Sequence, residues 1–324
     1  MGMSAKIDDE TLRWLMTGPS YVRLRTSSDI LGEGRREEEW NEVAADPAVR
    51  SLVRQVTAWP WPPLTSHRSA AHPIHKLAFL AELGFRTSDP ELGPLAERIL
   101  SQRSEEGQLC VIMNIPKHFG GSGQDGLAWA LCDAPLLAYS LVRMGAGEDG
   151  RVAGAISHLL ELVRENGWPC AASKSLGSFR GPGRKGDPCP YANLVMLKLL
   201  AEVPELSEGA EARIGVETLL GLWHDSHDSH PYMFYMGTDF RKLKAPFVWY
   251  DIMHVADVLS RFPWARRDER MRDMASIIDA KADPQGRFTP ESVWSDWKGW
   301  DFGQKKEPSR WLTLVAYRTL RRLG

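Results

Sequence analysis

An all-α fold of the (α/α)6 toroid class is predicted by three features of this 324-residue sequence. First, a nearly apolar segment recurs in four copies. When the copies are aligned, His72, Asp133, Ala192 and Asp251 fall at the same position, and they lie 61, 59 and 59 residues apart. A period of this length holds one helical hairpin and a long connection. Second, amphipathic segments alternate with the apolar ones. Third, the first and last copies are as apolar as the middle ones, which favours a closed ring over an open solenoid with polar ends.

The six apolar segments are predicted to form an inner ring of buried helices. Each carries apolar side chains on nearly every face, with small residues among them, and a helix that is apolar all round is a buried helix. Glycines follow the first two copies, at Gly32 and Gly84, as is typical of helix C-termini. The inner helices are expected near 19–31, 72–84, 133–145, 188–202, 247–261 and 308–322.

The segments between the inner helices are predicted to form an outer ring of six half-exposed helices. Each of them has a charged face and an apolar face, so one side meets solvent while the other packs on the inner ring. The outer helices are expected near 8–17, 42–57, 91–103, 150–165, 208–223 and 267–281. Two concentric rings of this kind make one domain, which is expected to span residues 1–324.

The composition excludes several classes of protein. Lys and Arg total 40 and Asp and Glu total 42, so the net charge of −2 excludes a nucleic-acid-binding surface spread over the whole chain. No apolar run reaches about 18 residues, so no membrane span is expected. The N-terminal segment 1–10 is polar, without the apolar core of a signal peptide, and the four cysteines are too scattered for a disulfide framework. A cytoplasmic location is therefore expected.

The connections that lead into the inner helices are long and rich in Gly and Trp. Ordered connections of more than about 12–15 residues are usually functional, and the helix N-termini at which they end favour anionic ligands. Basic residues there predict a positive rim for a phosphate or carboxylate, unless they are ordinary surface cations. The tryptophans either line a ligand cup or pack the connections onto the ring. The predicted substrate-binding residues are Arg23, Arg180, Arg184, Lys185, Trp249 and Arg310.

One segment is more specific than the helical repeat: residues 183–191 read Gly-Arg-Lys-Gly-Asp-Pro-Cys-Pro-Tyr. Together with the repeat over about residues 15–322, this segment resembles the terpenoid cyclase and protein prenyltransferase superfamily. In prenyltransferase β subunits, Arg and Lys of a similar segment hold the prenyl diphosphate, and an Asp-x-Cys pair binds zinc beside a Tyr. The resemblance implies that Arg184 and Lys185 hold a diphosphate. It also implies that Asp187, Cys189 and, about one repeat later, His254 bind zinc.

The same segment has a structural interpretation. Asp187 would cap a helix whose first residue is Pro188, and Cys189 would be a small buried apolar residue. The Asp-x-Asp-Asp motif of triterpene cyclases is absent from the sequence, which argues against protonation-initiated cyclisation.

Ionisable side chains recur at one level of the inner helices. Asp251 and His254 are one helical turn apart and share a face, and His72 and Asp133 lie at matching positions of other copies. Buried ionisable groups need partners or a solvated cavity, so we expect these side chains to converge on a polar cup; the alternative is that they only pair with each other. A histidine of this level would act as general acid or base, held by an aspartate. The predicted catalytic residues are His72, His75, Asp133, Tyr191, Asp251 and His254.

Three functions remain open. The first is an enzyme that binds an apolar, anionic, isoprenoid-like small molecule in the central cup and carries out zinc-assisted transfer or cyclisation. The second is a metal-independent lyase or hydrolase of the (α/α)6 type, with Tyr191, His254 and Arg23 in its site. The third is a ligand-binding module without catalysis. The sequence identifies no protein partner, so the expected ligand is a small molecule.

Metal analysis separates the first two functions. If zinc is bound as the resemblance implies, Cys189→Ala removes most of the metal and most of the activity, while folding changes little because the lost side chain is small. The lyase alternative expects no stoichiometric metal, tolerance of Cys189→Ala, and loss of activity in Tyr191→Phe. The measurement is the metal content of the wild-type chain and of Cys189→Ala, and a metal-free wild type contradicts the zinc hypothesis.

Overall fold

Helices make up most of the computed structural model, which describes residues 7–177, 179, 183–226, 228–231 and 234–324. In chain order they are α1 (Asp9–Met16), α2 (Ser20–Thr26), α3 (Glu37–Ala45), α4 (Pro47–Thr57), α5 (Pro73–Leu83), α6 (Gly93–Ser101), α7 (Ala134–Leu141), α8 (Gly150–Glu161), α9 (Pro190–Leu200), α10 (Pro204–Ser207), α11 (Ala210–His224), α12 (Ile252–Leu259), α13 (Glu269–Asp279) and α14 (Arg310–Leu323). Two of them, α2 and α7, continue as π-helical turns over Ser27–Leu31 and Val142–Ala146. Two short strands, β1 (Val111–Met113) and β2 (Gly126–Ala128), pair antiparallel with Val111 opposite Ala128. None of the described helices is long and apolar enough to cross a membrane.

The described residues form two compact units. The terminal unit contains those up to Leu52 and those from Met236 onward, and the middle unit contains those from Val53 to Tyr235. The terminal unit holds α1 to α3, the first part of α4, and α12 to α14. The middle unit holds the rest of α4, α5 to α11 and the two strands. The single domain expected over residues 1–324 stays a prediction.

The predicted fold class is confirmed, because buried and amphipathic helices alternate along the chain in the order of an all-α (α/α)6 toroid. In the middle unit every residue of α5 and α9 is buried, as expected for helices of an inner ring. The terminal unit follows the same pattern, since all of α12 is buried and α13 buries one face. The helix between α7 and α9, α8, also buries one face, at positions spaced by three and four residues: Val152, Ala155, Ile156 and Leu159.

Two of the predicted helices differ clearly from the observed ones. The outer helix expected over 42–57 is two helices, α3 and α4, because Pro47 lacks an amide hydrogen and cannot continue α3. The Asp46 carboxylate accepts a hydrogen bond from the Ala48 amide at 2.9 Å and so stabilises the beginning of α4. The inner helix expected near 247–261 begins only at Ile252, with Asp251 as its N-cap.

Buried charges are paired inside the middle unit. Lys198 of α9 and Glu82 of α5 form an ion pair with 2.8 Å between Nζ and Oε1, and both side chains are almost fully buried. The ring of Tyr139, in α7, lies 4.7 Å from the same ammonium group and adds a cation–π contact. Such a pair stabilises the fold only while both partners are present, because either one alone is an uncompensated charge in a low-dielectric interior.

The terminal unit has a larger buried cluster around Asp257 of α12. Its carboxylate accepts hydrogen bonds from Arg318 of α14 at 2.9 Å, from Arg322 at 3.1 Å and from Arg261 at 3.0 Å. Burial by itself would raise the pKa of Asp257, but the three guanidinium groups hold it well below its ordinary value. Charge-assisted hydrogen bonds therefore join α12 to α14 within this unit.

Removal of one partner of the Lys198–Glu82 pair should be costly. Lys198→Met leaves the Glu82 carboxylate buried without its cation, and we expect the free energy of unfolding to fall by about 3–5 kcal/mol. The double variant Lys198→Met with Glu82→Gln should recover much of this loss, because no charge is then left unpaired. Urea denaturation measures both changes.

The matched control is Arg213→Met, which removes the cation of the exposed Arg213–Glu208 pair. There we expect a change of less than about 1 kcal/mol, since solvent screens the pair. Equal losses in Lys198→Met and Arg213→Met would contradict the role given to burial.

Candidate functional site

The candidate residues lie where the buried helices begin. The first-turn amides of a helix have no partner within it, and side chains at the N-cap are suited to accept from them. The sequence interpretation in which Asp187 caps the helix and Pro188 is its first residue is wrong, because α9 begins two residues later with Cys189 as its N-cap. The N-cap residues of five buried helices are His72 for α5, Asp133 for α7, Cys189 for α9, Asp251 for α12 and Ser309 for α14.

The predicted site residues are divided between the two units. The middle unit contains His72, His75, Asp133, Arg184, Lys185, Asp187, Cys189 and Tyr191. The terminal unit contains Arg23, Trp249, Asp251, His254 and Arg310. Arg180 lies outside the described residues. The convergence of all these side chains on one cup stays a prediction.

Backbone hydrogen bonds pair three segments of the middle unit, each of which carries a cysteine. The Leu131 amide donates to the Ala171 carbonyl at 2.9 Å, which joins the segments of Cys132 and Cys170. The Cys189 amide donates to the Trp168 carbonyl at 2.8 Å, which joins the Cys170 segment to the start of α9. The segment that carries Cys170 is thus hydrogen-bonded to the segment of Cys132 and to that of Cys189.

Asn193 holds the start of α9 in place. Its side-chain amide donates to the carbonyls of Cys189 at 2.8 Å and Trp168 at 2.9 Å, and its Oδ1 accepts from the Trp168 amide at 3.0 Å. The neighbouring Gly167 has a φ of +99°, and a Cβ there would lie 2.5 Å from Asn193 Oδ1. Only glycine suits that position. The backbone around Cys189 is therefore held by buried hydrogen bonds on both sides.

Cys132 and Cys189 shift each other's pKa in opposite directions. The Cys132 thiol donates, and this hydrogen bond lowers the pKa of Cys189, although burial acts to raise it. The amides of Ala192 and Tyr191, in the first turn of α9, and the imidazole of His67 also lower it. The pKa of Cys132 is raised well above its ordinary value, because its thiol is the donor and is buried. Of the two thiols, Cys189 is therefore the more easily ionised.

His67 lies beside the Asp133 carboxylate, with 2.7 Å between Nδ1 and Oδ2. The Asp133 side chain does not cap α7, so it is available for this contact. Burial acts to lower the pKa of His67, but the Asp133 carboxylate prevails and raises it, with a smaller contribution from Cys189. The His67 side chain is 18% exposed, against 2% for Asp133, so the imidazole is the accessible member of the pair.

His72 and His75, the two predicted catalytic histidines of this unit, form hydrogen bonds with the backbone. His72 Nδ1 accepts from the Ile74 amide at 3.2 Å, and its Nε2 donates to the Pro62 carbonyl at 3.0 Å. His75 Nε2 donates to the His67 carbonyl at 3.0 Å and so fixes the segment that carries His67. Burial lowers the pKa of both rings, to about 4 for His75, so both are neutral near pH 7. The imidazole that contacts Asp133 is that of His67, a residue outside the predicted set.

Sequence reasoning missed His67 and Cys132. His67 lies in a connection five residues before His72, outside the helical period that identified the other residues. Cys132 directly precedes Asp133, and this adjacency to a predicted catalytic residue was the signal that could have identified it. A position in a connection acquires a role only through contacts with segments far away in sequence.

The residues implied as zinc ligands have other contacts. Asp187 Oδ2 accepts from the Arg184 amide at 2.7 Å, and His254, in the terminal unit, donates from Nδ1 to the Trp249 carbonyl at 2.9 Å. Among the residues that the structure describes, no group of three or more His, Cys, Asp and Glu side chains is placed to hold a metal ion. Zinc stays a prediction from the sequence.

The basic segment before α9 borders a polar pocket. Arg184 and Lys185 are exposed. A pocket of about 700 Å³ is lined in part by Arg184, Asp187 and Pro188. The end of α11 and His230 also line it. The pocket has the volume of a small-molecule site.

In the terminal unit, Asp251 is fully buried and its pKa is raised. Its Oδ1 accepts from the His254 amide at 3.0 Å, as an N-cap does. Burial raises the pKa of Asp251 to about 7, and Lys244 only partly opposes this effect. The His254 ring stacks on Phe247 with 4.6 Å between centroids, and its Nδ1 donates to the Trp249 carbonyl at 2.9 Å. Asp251 therefore changes its charge near neutral pH.

The two predicted arginines of the terminal unit make packing contacts. Arg23 pairs with Glu42 and donates to the Gly18 carbonyl at 2.7 Å. Arg310 donates to the Trp14 carbonyl at 3.0 Å, and its guanidinium lies 4.6 Å from the centre of the Trp14 ring. Both arginines thus have structural roles, and ligand binding by either stays a prediction.

Comparison with known proteins yields few matches. No protein-family model matches the sequence, and no curated protein matches it significantly. Among solved structures, a protein from Actinoplanes is 14% identical with a TM-score of 0.42, over 94% of this chain and 90% of the other. A structure of UGL with the saccharide dGlcA-Glc-Rha-Glc is 12% identical with a TM-score of 0.49, over 94% of this chain and 83% of the other. Similarity at this level carries no conclusion about activity.

Asp251→Asn tests the buried carboxylate. The folded-state pKa of about 7 lies above the ordinary value of 3.8, so the folded chain retains a proton that the unfolded chain loses, and stability falls as the pH rises through this window. Asn removes that cost and remains a good N-cap. The stability of the variant relative to wild type should therefore increase between about pH 4 and pH 8, by a few kcal/mol at about 1.4 kcal/mol per pKa unit. Denaturant titrations at the two pH values measure it.

The control is Asp268→Asn at the N-cap of α13. Hydrogen bonds from Arg270 lower the pKa of Asp268, so its ionised form stabilises the fold above the ordinary pKa and this stability is lost as the pH falls. That pH window lies below the ordinary pKa of 3.8, so Asp268→Asn should not gain stability relative to wild type between pH 4 and pH 8. A change of the same sign in both variants would contradict the assignment for Asp251.

Proposed function

We propose that this chain is an enzyme that uses the Cys189 thiolate as a nucleophile towards an electrophilic carbon of a small molecule. The observation that carries the proposal is the placement, within one unit, of Cys189 at the start of α9 and of the His67–Asp133 pair at the start of α7, the helix that packs against α9. Helix N-termini and neighbouring histidines both stabilise a thiolate, and reactive cysteines are found in such surroundings.

The reaction class that suits these groups is acyl transfer or acyl hydrolysis. The Cys189 sulfur attacks the carbonyl carbon of an ester or thioester, and a new carbon–sulfur bond forms as the bond to the leaving group breaks. His67 protonates the leaving oxygen or sulfur. The same imidazole then takes a proton from water, whose oxygen attacks the acyl carbon and releases the carboxylic acid and the Cys189 thiolate.

Asp133 has a positioning role in this scheme. At 2.7 Å from His67 Nδ1, its carboxylate orients the ring and stabilises the imidazolium that forms when His67 takes a proton. His75 Nε2 donates to the His67 carbonyl and so fixes the backbone that carries this ring. Substitution of Asp133 should therefore slow proton transfer while Cys189 remains in place.

The surroundings of Cys189 support a small substrate with an anionic group. Arg184 and Lys185 are exposed in the connection that leads to α9, and such side chains bind carboxylates and phosphates. The 700 Å³ pocket includes Arg184 and extends to Pro188, the residue before Cys189. The proposal thus belongs to the metal-independent class of hydrolases, and no residue role in it requires a metal. Zinc-assisted transfer of an isoprenoid-like molecule is the alternative. Stoichiometric zinc in the wild type that is lost in Cys189→Ala would favour it.

Selective alkylation tests the nucleophile. At neutral pH and with limiting iodoacetamide, Cys189 should be alkylated roughly tenfold or more faster than Cys110, since each pKa unit changes the thiolate fraction tenfold. Cys110 is the internal control, because burial raises its pKa to about 11. His67→Gln should slow the reaction of Cys189 and leave that of Cys110 unchanged. Peptide mass spectrometry measures both rates, and equal rates at the two cysteines would overturn the proposal.

Trapping of an acyl intermediate tests the reaction class. Incubation with a panel of p-nitrophenyl esters, followed by acid quenching, should leave an acyl group on Cys189 in the wild type and in Cys110→Ala, and no such adduct in Cys189→Ala. If iodoacetamide reacts rapidly with Cys189 but no ester leaves an adduct, the acyl chemistry is wrong and the nucleophile stands.

A further inference from the structure

Two arginines of the terminal unit have no part in the proposed chemistry. Arg322 lies in the last turn of α14, and Arg266 follows α12 in the chain. Both donate hydrogen bonds to Ser260, the C-cap of α12: Arg266 Nε to its carbonyl at 2.7 Å, and Arg322 Nη1 to its Oγ at 3.4 Å. The two guanidinium groups therefore reach the same residue, and both arginines are half-buried.

The carboxylate that pairs with Arg322, that of Asp257, has too few lone pairs for all of its donors. Its Oδ1 lies within hydrogen-bond distance of four donor atoms: Arg318 Nε at 3.1 Å, Arg318 Nη2 at 2.9 Å, Thr319 Oγ1 at 3.2 Å and Arg322 Nη1 at 3.1 Å. A carboxylate provides about two lone pairs on each oxygen. Arg318 donates from two nitrogens, and its side chain is 4% exposed, against 29% for Arg322. Asp257 therefore satisfies Arg322 only in part.

The edge of Arg322 that suits an oxyanion is unused within the described part of the chain. Arg322 donates there only through Nη1, so its Nε and Nη2 donate to none of the described residues. Arg266 in the same way donates to them only through Nε. A guanidinium group has five N–H donors in a planar fork, which matches two oxygens of a carboxylate or phosphate. Both arginines therefore retain donors for a ligand from solvent.

The charge of Arg322 is disfavoured where it lies. Burial lowers the pKa of Arg322 to about 10; Asp257 opposes this effect, whereas the neighbouring Arg318 and Arg261 add to it. The carboxyl ends of α12 and α14 favour cations, but a helix end supplies only about half of a negative charge. A bound anion would stabilise the charged form of Arg322.

We propose that Arg266 and Arg322 bind a phosphate group, either of inorganic phosphate or of a small phosphate ester. A phosphate ester carries about −1.5 to −2 charges near pH 7, which matches two guanidinium groups better than a singly charged carboxylate does. Its oxygens would accept from the Nε–Nη2 edge of Arg322 and from the Nη groups of Arg266. This site belongs to the terminal unit, whereas Cys189 and His67 belong to the middle unit. It is therefore independent of the proposed function.

A purely structural role of Arg322 is the alternative, because basic side chains in the last turn of a helix stabilise it without any ligand. Arg321 has such a role, since it donates to the Ile30 carbonyl. The two roles predict different effects of Arg322→Met in phosphate-free buffer. If Arg322 is structural, the variant should melt at a lower temperature than the wild type. Under the proposal the variant loses a cation that Arg318 and Arg261 disfavour, so it should melt at the same or a higher temperature.

The experiment titrates the full chain with sodium phosphate by isothermal titration calorimetry, in a phosphate-free buffer at neutral pH and constant ionic strength. A second titration uses glycerol phosphate, which presents the same group as an ester. We expect saturable binding of at least one compound and a higher melting temperature in its presence. Binding of inorganic phosphate alone identifies the ion as the ligand, binding of the ester alone identifies an organic phosphate, and binding of both identifies the phosphate group itself. Sodium acetate at the same ionic strength is the control for screening.

Variants locate the site. Arg322→Met should weaken binding roughly tenfold or more, as expected when charge-assisted hydrogen bonds are lost, and Arg266→Met should weaken it as well. Arg322→Lys keeps the charge but lacks the planar edge, so it should also bind more weakly than the wild type. The matched control is Arg272→Met, which removes an exposed arginine of α13 and should leave binding unchanged.

Four outcomes would overturn the proposal: neither phosphate compound binds, acetate raises the melting temperature equally, the Arg322 variants bind as the wild type does, or Arg272→Met weakens binding as much as Arg322→Met. If Arg322→Met does not fold, Arg266→Met and Arg322→Lys replace it. The titrations of the wild type depend on none of these variants.

Discussion

Helices that have no side facing solvent impose the constraint on which the rest of this structure depends. Every polar group on such a helix must find a partner inside the protein, because water is not available to it. In the middle unit this constraint explains the Lys198–Glu82 pair, in which two charges on two fully buried helices neutralise each other at 2.8 Å. In the terminal unit the same constraint explains why Asp257 forms ion pairs with three arginines. The buried charges at these positions are structural, and they hold neighbouring helices together.

Helix α12 shows how the partner of a buried carboxylate decides what the carboxylate does. Asp251 and Asp257 lie six residues apart in sequence, and both are fully buried. Burial raises the pKa of Asp251 to about 7, whereas three guanidinium groups hold the pKa of Asp257 well below its ordinary value. The first aspartate changes charge near neutral pH, and the second stays ionised. An aspartate at the start of α12 therefore titrates near neutral pH, whereas an aspartate within α12 keeps its negative charge.

At the starts of the buried helices some polar side chains do not pair with their own helix. The residues of the proposed chemistry lie at these positions. A capping side chain that accepts a first-turn amide, as Asp251 does, is occupied by the fold. Asp133 leaves its helix uncapped and contacts His67 instead, and the Cys189 side chain makes no capping hydrogen bond to α9. These side chains are held by buried backbone hydrogen bonds around them, such as those of Asn193, so that they are fixed in place without being neutralised. A rigid scaffold that presents incompletely satisfied groups is the arrangement that catalysis requires.

The sequence by itself determined the helices and the residues at their starts, and only the tertiary structure decided the partners of those residues. Apolar periodicity is a local property of the chain, so the inner and outer helices, their order and the fold class could be predicted from it. Asp133 and Asp251 could be identified for the same reason, since caps lie at fixed positions relative to a helix. The position assigned to the start of α9 was three residues too late, at Ala192 and not at Cys189. His67 and Cys132 were missed as site residues because their roles come from contacts across long sequence separations, with Asp133 and with Cys189, which only the packed chain creates.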